Sequence, residues 1–104
     1  SNEVGHGFNE KNYENAMVHE FSLRGVSVSQ QEQFDVMFKG VRVGYYIPDL
    51  IAGNAVIVDA KCIDRITDHE VGQMLNYLRI TNLPVGLIIN FKHAKLEWRR
   101  VLLT

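Results

Sequence analysis

Apolar residues return every three or four positions over residues 10–23: Tyr13, Met17 and Phe21, with Ala16 and Val18 beside them. That spacing predicts an amphipathic helix. Asn9 suits its N-cap, Glu10 its first turn, where a negative charge favours the helix dipole, and Gly25 its C′ position. The period then shortens to two. Residues 26–28 and 30–33 alternate weakly, and residues 34–38 continue the pattern. Phe38-Lys39-Gly40-Val41 predicts a turn and residues 43–47 a strand with Pro48 near its end, which Asp49-Leu50-Ile51 carries onward. Gly53-Asn54 is a two-residue hairpin signal. Residues 55–58 are almost wholly apolar, the pattern of a central strand buried on both faces, and they run straight into Asp59-Ala60-Lys61.

The second helix has the clearest start. Thr67 and Glu70 have the spacing of a capping box, in which each side chain satisfies the other's backbone amide. Val71, Met74, Leu75 and Leu78 form its apolar stripe, and Asn82 with Pro84 ends it. Residues 85–89 read as a buried strand, and residues 101–103 as a last short one. The order is α-β-β-β-α-β. Strands joined by tight turns predict antiparallel neighbours, and the crossover helix predicts a parallel final strand. The expected fold is therefore α/β (α+β), with a mixed central sheet flanked by helices.

With 104 residues, one domain over 1–104 is the expectation. A net charge of −1 gives no global basic signal, so any nucleic-acid contact must be a local patch. The single cysteine, Cys62, excludes an internal disulfide and a cysteine-based zinc site, and suits a reducing, cytoplasmic setting. Beside Lys61 it reads as a small buried hydrophobe. The four histidines share no spacing that suits a metal, and His69 falls in the capping box. No apolar run reaches the length of a membrane span.

Three acids and a lysine stand where polar residues are unexpected. Asp49 follows an apolar strand and a proline, and Asp59 ends the most hydrophobic run. Lys61, two residues on, faces the same way as Asp59. Glu10 shares a helix stripe with Tyr13 and Met17 and so tends inward. Alone, Asp59 and Lys61 would read as an ion pair at a strand end, and Glu10 as a helix-start acid. Together with Asp49, brought alongside by the Gly53-Asn54 turn, they form one cluster. Hard divalent cations take such oxygens: Glu10, Asp49, Asp59 and the Ala60 carbonyl could hold Mg²⁺ or Mn²⁺. The cation would lower the pKa of a bound water, and Lys61 would orient that water or stabilise charge on a phosphate.

Pro48-Asp49 followed by Asp59-Ala60-Lys61 at the end of an apolar strand resembles the PD-(D/E)XK motif of metal-dependent nucleases. Gln73 and Tyr77, four apart on the second helix, look like the Q-x-x-x-Y element of exonuclease-type members, which contacts the site or the substrate backbone. Gly7, Glu10 and Tyr13 match the signature of the bacterial GxxExxY family, placed in that superfamily. The resemblance covers nearly the whole chain. It implies a restriction-endonuclease-like core, with Asp49, Asp59 and Lys61 catalytic and Gln73 and Tyr77 positioning the strand. It implies nucleic acid as substrate, DNA ahead of RNA, and no membrane. Family members carry a further helix upstream of Gly7, so an N-terminal helix is expected to be missing here.

Taken alone, Gln73 reads as a solvated helix residue, Tyr77 as a half-buried packing residue and Tyr13 as core. The basic segment with Lys92, Lys95, Arg99 and Arg100 around Trp98 reads first as solvated surface. In this fold it could also follow the phosphate path, with Trp98 stacking on a base. Two other functions compete with cleavage: a non-catalytic nucleic-acid-binding module, and a homodimeric interaction domain.

Overall fold

The computed structural model describes the backbone of residues 5–103 and the side chains of residues 10–103. Helix α1 (Gly5–Leu23) is followed by strands β1 (Val28–Gln30), β2 (Phe34–Phe38), β3 (Val41–Tyr46), β4 (Leu50–Ala52) and β5 (Val56–Lys61). Helix α2 (Asp68–Thr81) then leads to β6 (Val85–Asn90) and β7 (Glu97–Leu102). Five strands form a mixed sheet in the order β1-β4-β5-β6-β7, with β5 and β6 parallel across the α2 crossover and the other pairs antiparallel. The mixed sheet flanked by helices is the predicted class.

Its strands are more numerous than the periodicity suggests. The stretch over residues 26–38 breaks at Gln31, whose φ of 62° turns the chain out of the sheet. β1 pairs with β4, remote in sequence, rather than with β2. β2 and β3 form a separate two-stranded sheet, closed by Lys39 and Gly40, both at positive φ as a tight hairpin turn requires. Gly53 and Asn54, also at positive φ, lie in the β4–β5 hairpin turn where the sequence places one, but Ala52 pairs with Val56, so the turn takes in Ala55 and is three residues long rather than two.

Helix α1 extends back to Gly5, so Asn9 lies within it rather than at its cap, and Glu10 is beyond the first turn. The side chains of His6, Gly7, Phe8 and Asn9 fall outside the described residues. Its C-terminus closes as expected: Val26 N–H donates to the Phe21 carbonyl and Gly25 N–H to that of Ser22, with Gly25 at φ 72°. In α2 both halves of the capping box are made, and Asn82 caps the end in the left-handed conformation.

Two apolar layers sandwich the sheet. Ile57, Ile66, Met74, Leu78, Ile88 and Val101 pack beneath α2. Leu50, Ala52 and Val58 pack beneath α1 with Met17, Val18 and Phe21. Tyr13 departs from the expected core: it lies at the surface, its ring stacked on Phe91 at 4.4 Å.

Gly86 has no side chain because Met74 fills its place; a Cβ there would lie 2.4 Å from the Met74 Cγ and Sδ. Gly86→Val is therefore expected to destabilise the fold by about 2 kcal/mol. Urea titration would show a lowered midpoint at unchanged slope.

Candidate functional site

Strand β5 alternates between the two layers. Val56 and Val58 face α1, whereas Ile57 faces α2. Asp59 and Lys61 continue the Ile57 side and emerge under α2. The β4–β5 register pairs Leu50 with Val58, so one step further Asp49 stands opposite Asp59. The Asp49 Oδ2 accepts from the Ala60 N–H at 3.3 Å. On a strand a residue's N–H and C=O point the same way, so the Ala60 carbonyl also faces Asp49.

Lys61 Nζ lies 3.3 Å from the Asp59 Oδ2, with side-chain exposures of only 21% and 16%, and donates to the Gln73 Oε1 at 3.2 Å. Tyr77, one turn along α2, has its hydroxyl pKa raised by burial and then by Asp59, with Lys61 opposing, and it in turn favours the Lys61 ammonium. The structure thus brings Asp49, Asp59, Lys61, Gln73 and Tyr77 into one cluster. Glu10 reaches its rim from α1, where its Oε2 accepts from the Cys62 N–H at 3.2 Å, close enough to influence the Lys61 charge.

Burial pushes the Asp59 carboxyl up to about 7; Lys61 opposes this, and the hydrogen bond and charge of Asp49 add to it. Desolvation draws the Lys61 ammonium down, but the charge and hydrogen bond of Asp59 outweigh it and leave the pKa raised. Burial also raises the Cys62 thiol, with Glu10 contributing, consistent with an inert packed residue.

A divalent cation fits this set in kind: two opposed carboxylates and a carbonyl are hard oxygen donors, and ionising both acids calls for positive charge between them. Among the described residues no group of three or more acid, histidine or cysteine side chains is arranged to hold a metal, so Glu10 does not complete a three-acid set in this geometry.

The basic segment is divided. β6–β7 pairing carries the Asp59 row through Ile88 to Arg99, on the α2 face. Trp98 and Arg100 alternate to the opposite face. Lys92 pairs with Asp64, and Lys95 is exposed in the loop before β7.

Three further groups shape the site and were missed in the sequence. Tyr46, at the end of β3, stacks on Tyr77 with ring centres 3.9 Å apart and rings nearly parallel. Its hydroxyl is held neutral, its pKa raised by burial and then by Asp59, Tyr77 and Asp49. Asn90 and Glu97 fix the loop after Lys61: Asn90 bridges the Ile63 N–H and carbonyl, and Glu97 accepts from Asn90 and the Ile66 N–H. The alternation of β3 could have flagged Tyr46, but nothing local marks the other two.

A mixed sheet with Asp59 and Lys61 at the end of its central strand, and Asp49 beside them at the start of the neighbouring one, is consistent with a restriction-endonuclease-like fold. The chain belongs to the PD-(D/E)XK nuclease superfamily, whose family model it matches over residues 1–101. No curated protein and no solved structure gives a significant match. No described helix is long and apolar enough to cross a membrane.

Asp59 keeps its proton in the folded state at pH values where the unfolded chain, at 3.8, has lost it. Stability therefore falls as pH rises from about 4 to about 7, and the full cost remains above that. With EDTA present, Asp59→Asn is expected to stabilise the protein by on the order of 2 kcal/mol at pH 8, with little difference at pH 4. Thermal melts of both proteins across that range would read this directly.

Proposed function

We propose that the protein is a divalent-metal-dependent nuclease that hydrolyses phosphodiester bonds. The carrying observation is the Asp49–Asp59 pair with Lys61 on the same strand face, walled by Gln73 and Tyr77. Asp49, Asp59 and the Ala60 carbonyl would hold the cation, and Glu10, now bonded to the Cys62 amide at the rim, would join them only by turning from it. Mg²⁺ or Mn²⁺ held there would supply a water acidified for attack and charge for the phosphate.

Lys61 works as a cation rather than a base, since its neighbours favour the ammonium form. It orients the attacking water or offsets charge developing on the phosphate oxygens. Gln73 fixes the Lys61 Nζ, and Tyr77 with Gln73 lines the approach of the substrate backbone. The spacing Gly7, Glu10, Tyr13 supports membership of the bacterial GxxExxY group, with DNA as the substrate and a cytoplasmic setting. Arg99, in the row of Asp59, is the best aligned of the basic residues for a phosphate; Lys92, Lys95 and Arg100 would act further along a bound strand.

Calorimetry with Mn²⁺ and Mg²⁺, with and without an oligonucleotide, tests the metal site. Saturable binding is expected in the wild type and its loss in Asp59→Asn. No binding at millimolar metal under either condition overturns the reading. In a cleavage assay, Lys61→Ala is expected to reduce the rate by on the order of a hundredfold or more while binding and fold persist. Cleavage that survives this change rules out the role of Lys61.

A further inference from the structure

Only Ile47 and Pro48 separate Tyr46, the last residue of β3, from Asp49. Pro48 is fully buried and its ring fixes the backbone, so this short, stiff link delivers a phenol and an acid into the same cluster. Strand pairing of Tyr46 with Phe34 holds one end of the link. The Asp49 bond from the Ala60 N–H holds the other. The Tyr46 ring lies flat on Tyr77, with centres 3.9 Å apart and planes 9° from parallel. Tyr77 stands on α2 one residue before Leu78, which is fully buried in the core. Strand and helix thus clamp the ring from two sides.

Packing explains the ring but not the hydroxyl, since a phenylalanine would stack on Tyr77 as well. Asp59 and Asp49 both act on the phenol, so it lies within electrostatic reach of the two carboxylates. Among the described residues no acceptor holds this hydroxyl in a hydrogen bond. Nor is any described polar side-chain atom sealed in without a partner, so the hydroxyl opens to solvent. A rigid, uncommitted donor therefore faces the open side of the acid cluster. The charges there limit what it serves. A phosphodiester is an anion and must approach two carboxylates. A lysine in this place would pair with the acids, as Lys61 does with Asp59 at 3.3 Å, and compete with a divalent cation for them. A phenol is neutral at working pH and donates a hydrogen bond while leaving the carboxylates to the cation. Its bond to an anionic oxygen is stronger than one between neutral groups.

We infer that Tyr46 is a substrate-contacting residue, whose hydroxyl donates to a non-bridging oxygen of the phosphate bound at the Asp49, Asp59 and Lys61 cluster. The inference rests on the proposed nuclease function. It adds to that function an uncharged donor for the phosphate, on the wall opposite the strand that carries Lys61, with Tyr77 as its rigid backing.

The test is Tyr46→Phe in the full chain, which keeps the ring and its stack and removes only the hydroxyl. A purely structural role predicts no change. In the binding arm Lys61→Ala is the parent, so that the probe is not cut. With Mn²⁺ and a fluorescein-labelled DNA duplex carrying a single-stranded tail, adding Tyr46→Phe to that parent is expected to weaken binding roughly tenfold, read by anisotropy. In otherwise wild-type protein Tyr46→Phe is expected to lower kcat/KM by at least the same factor. Its melting temperature and its Mn²⁺ affinity by calorimetry are expected to stay unchanged. Unchanged probe affinity with unchanged kcat/KM overturns the inference and leaves the nuclease reading standing, with Tyr46 a packing residue. Loss of Mn²⁺ binding in Tyr46→Phe also overturns it, because the hydroxyl then serves the cation rather than the phosphate. If the wild type binds neither Mn²⁺ nor the probe, the nuclease reading itself fails and this inference falls with it.

Discussion

Strand β5 is covered by helices on both faces, so each residue along it must satisfy one apolar layer or the other until the strand runs out from beneath them. Ile57 belongs to the α2 layer and Val58 to the α1 layer. Asp59 and Lys61 occupy the last two places on the α2 side, where cover is partial rather than complete. The polar groups of the site are there because the sandwich ends there. Other elements are arranged around that point: the β4 hairpin supplies Asp49, α2 supplies Gln73 and Tyr77, and α1 brings Glu10 to the Cys62 amide.

Partial burial is also what gives the cluster its electrostatic character. Water is scarce enough that Asp59 resists ionisation, yet an ammonium and a hydrogen-bonding neighbour are close enough to keep it in place. Such a site stores unfavourable charge that a cation or a phosphate-bound cation can relieve, a common arrangement where chemistry is performed. The Asn90–Glu97 network has the complementary task. It ties down the chain leaving Lys61, with the Glu97 Oε1 accepting from both the Ile66 N–H and the Asn90 amide.

The sequence announces part of this plainly. Polar residues at the end of an apolar strand are conspicuous, which is why Asp49, Asp59 and Lys61 stand out, and the capping box of α2 is written in Thr67 and Glu70. Gln73 and Tyr77 emerge only through likeness to a known motif, since on a helix they are ordinary residues. Tyr46, Asn90 and Glu97 act through partners far along the chain, and no local pattern encodes that distance. Nor does residue type reveal that Gln31 takes a positive φ, which is why one apparent run of strand separates into two sheets. The start of α1 is obscured by Gly5 and Gly7, weak helix formers that the helix nevertheless includes.

The turn at Gly53-Asn54 has a consequence for how such a chain can diverge. With Ala55 it is three residues long, between the paired Ala52 and Val56, and it sets which side chain of β5 lies opposite which of β4. Adding or losing one residue there would shift the pairing by one step and turn Asp59 and Lys61 onto the α1 face, beneath a different helix. Evolution can lengthen the tip at Lys39-Gly40 or the loop over residues 91–96 without moving the acids. This turn, by contrast, acts as a ruler: a one-residue change in its length would leave an apolar strand that can still be buried but would carry the acids to the wrong face.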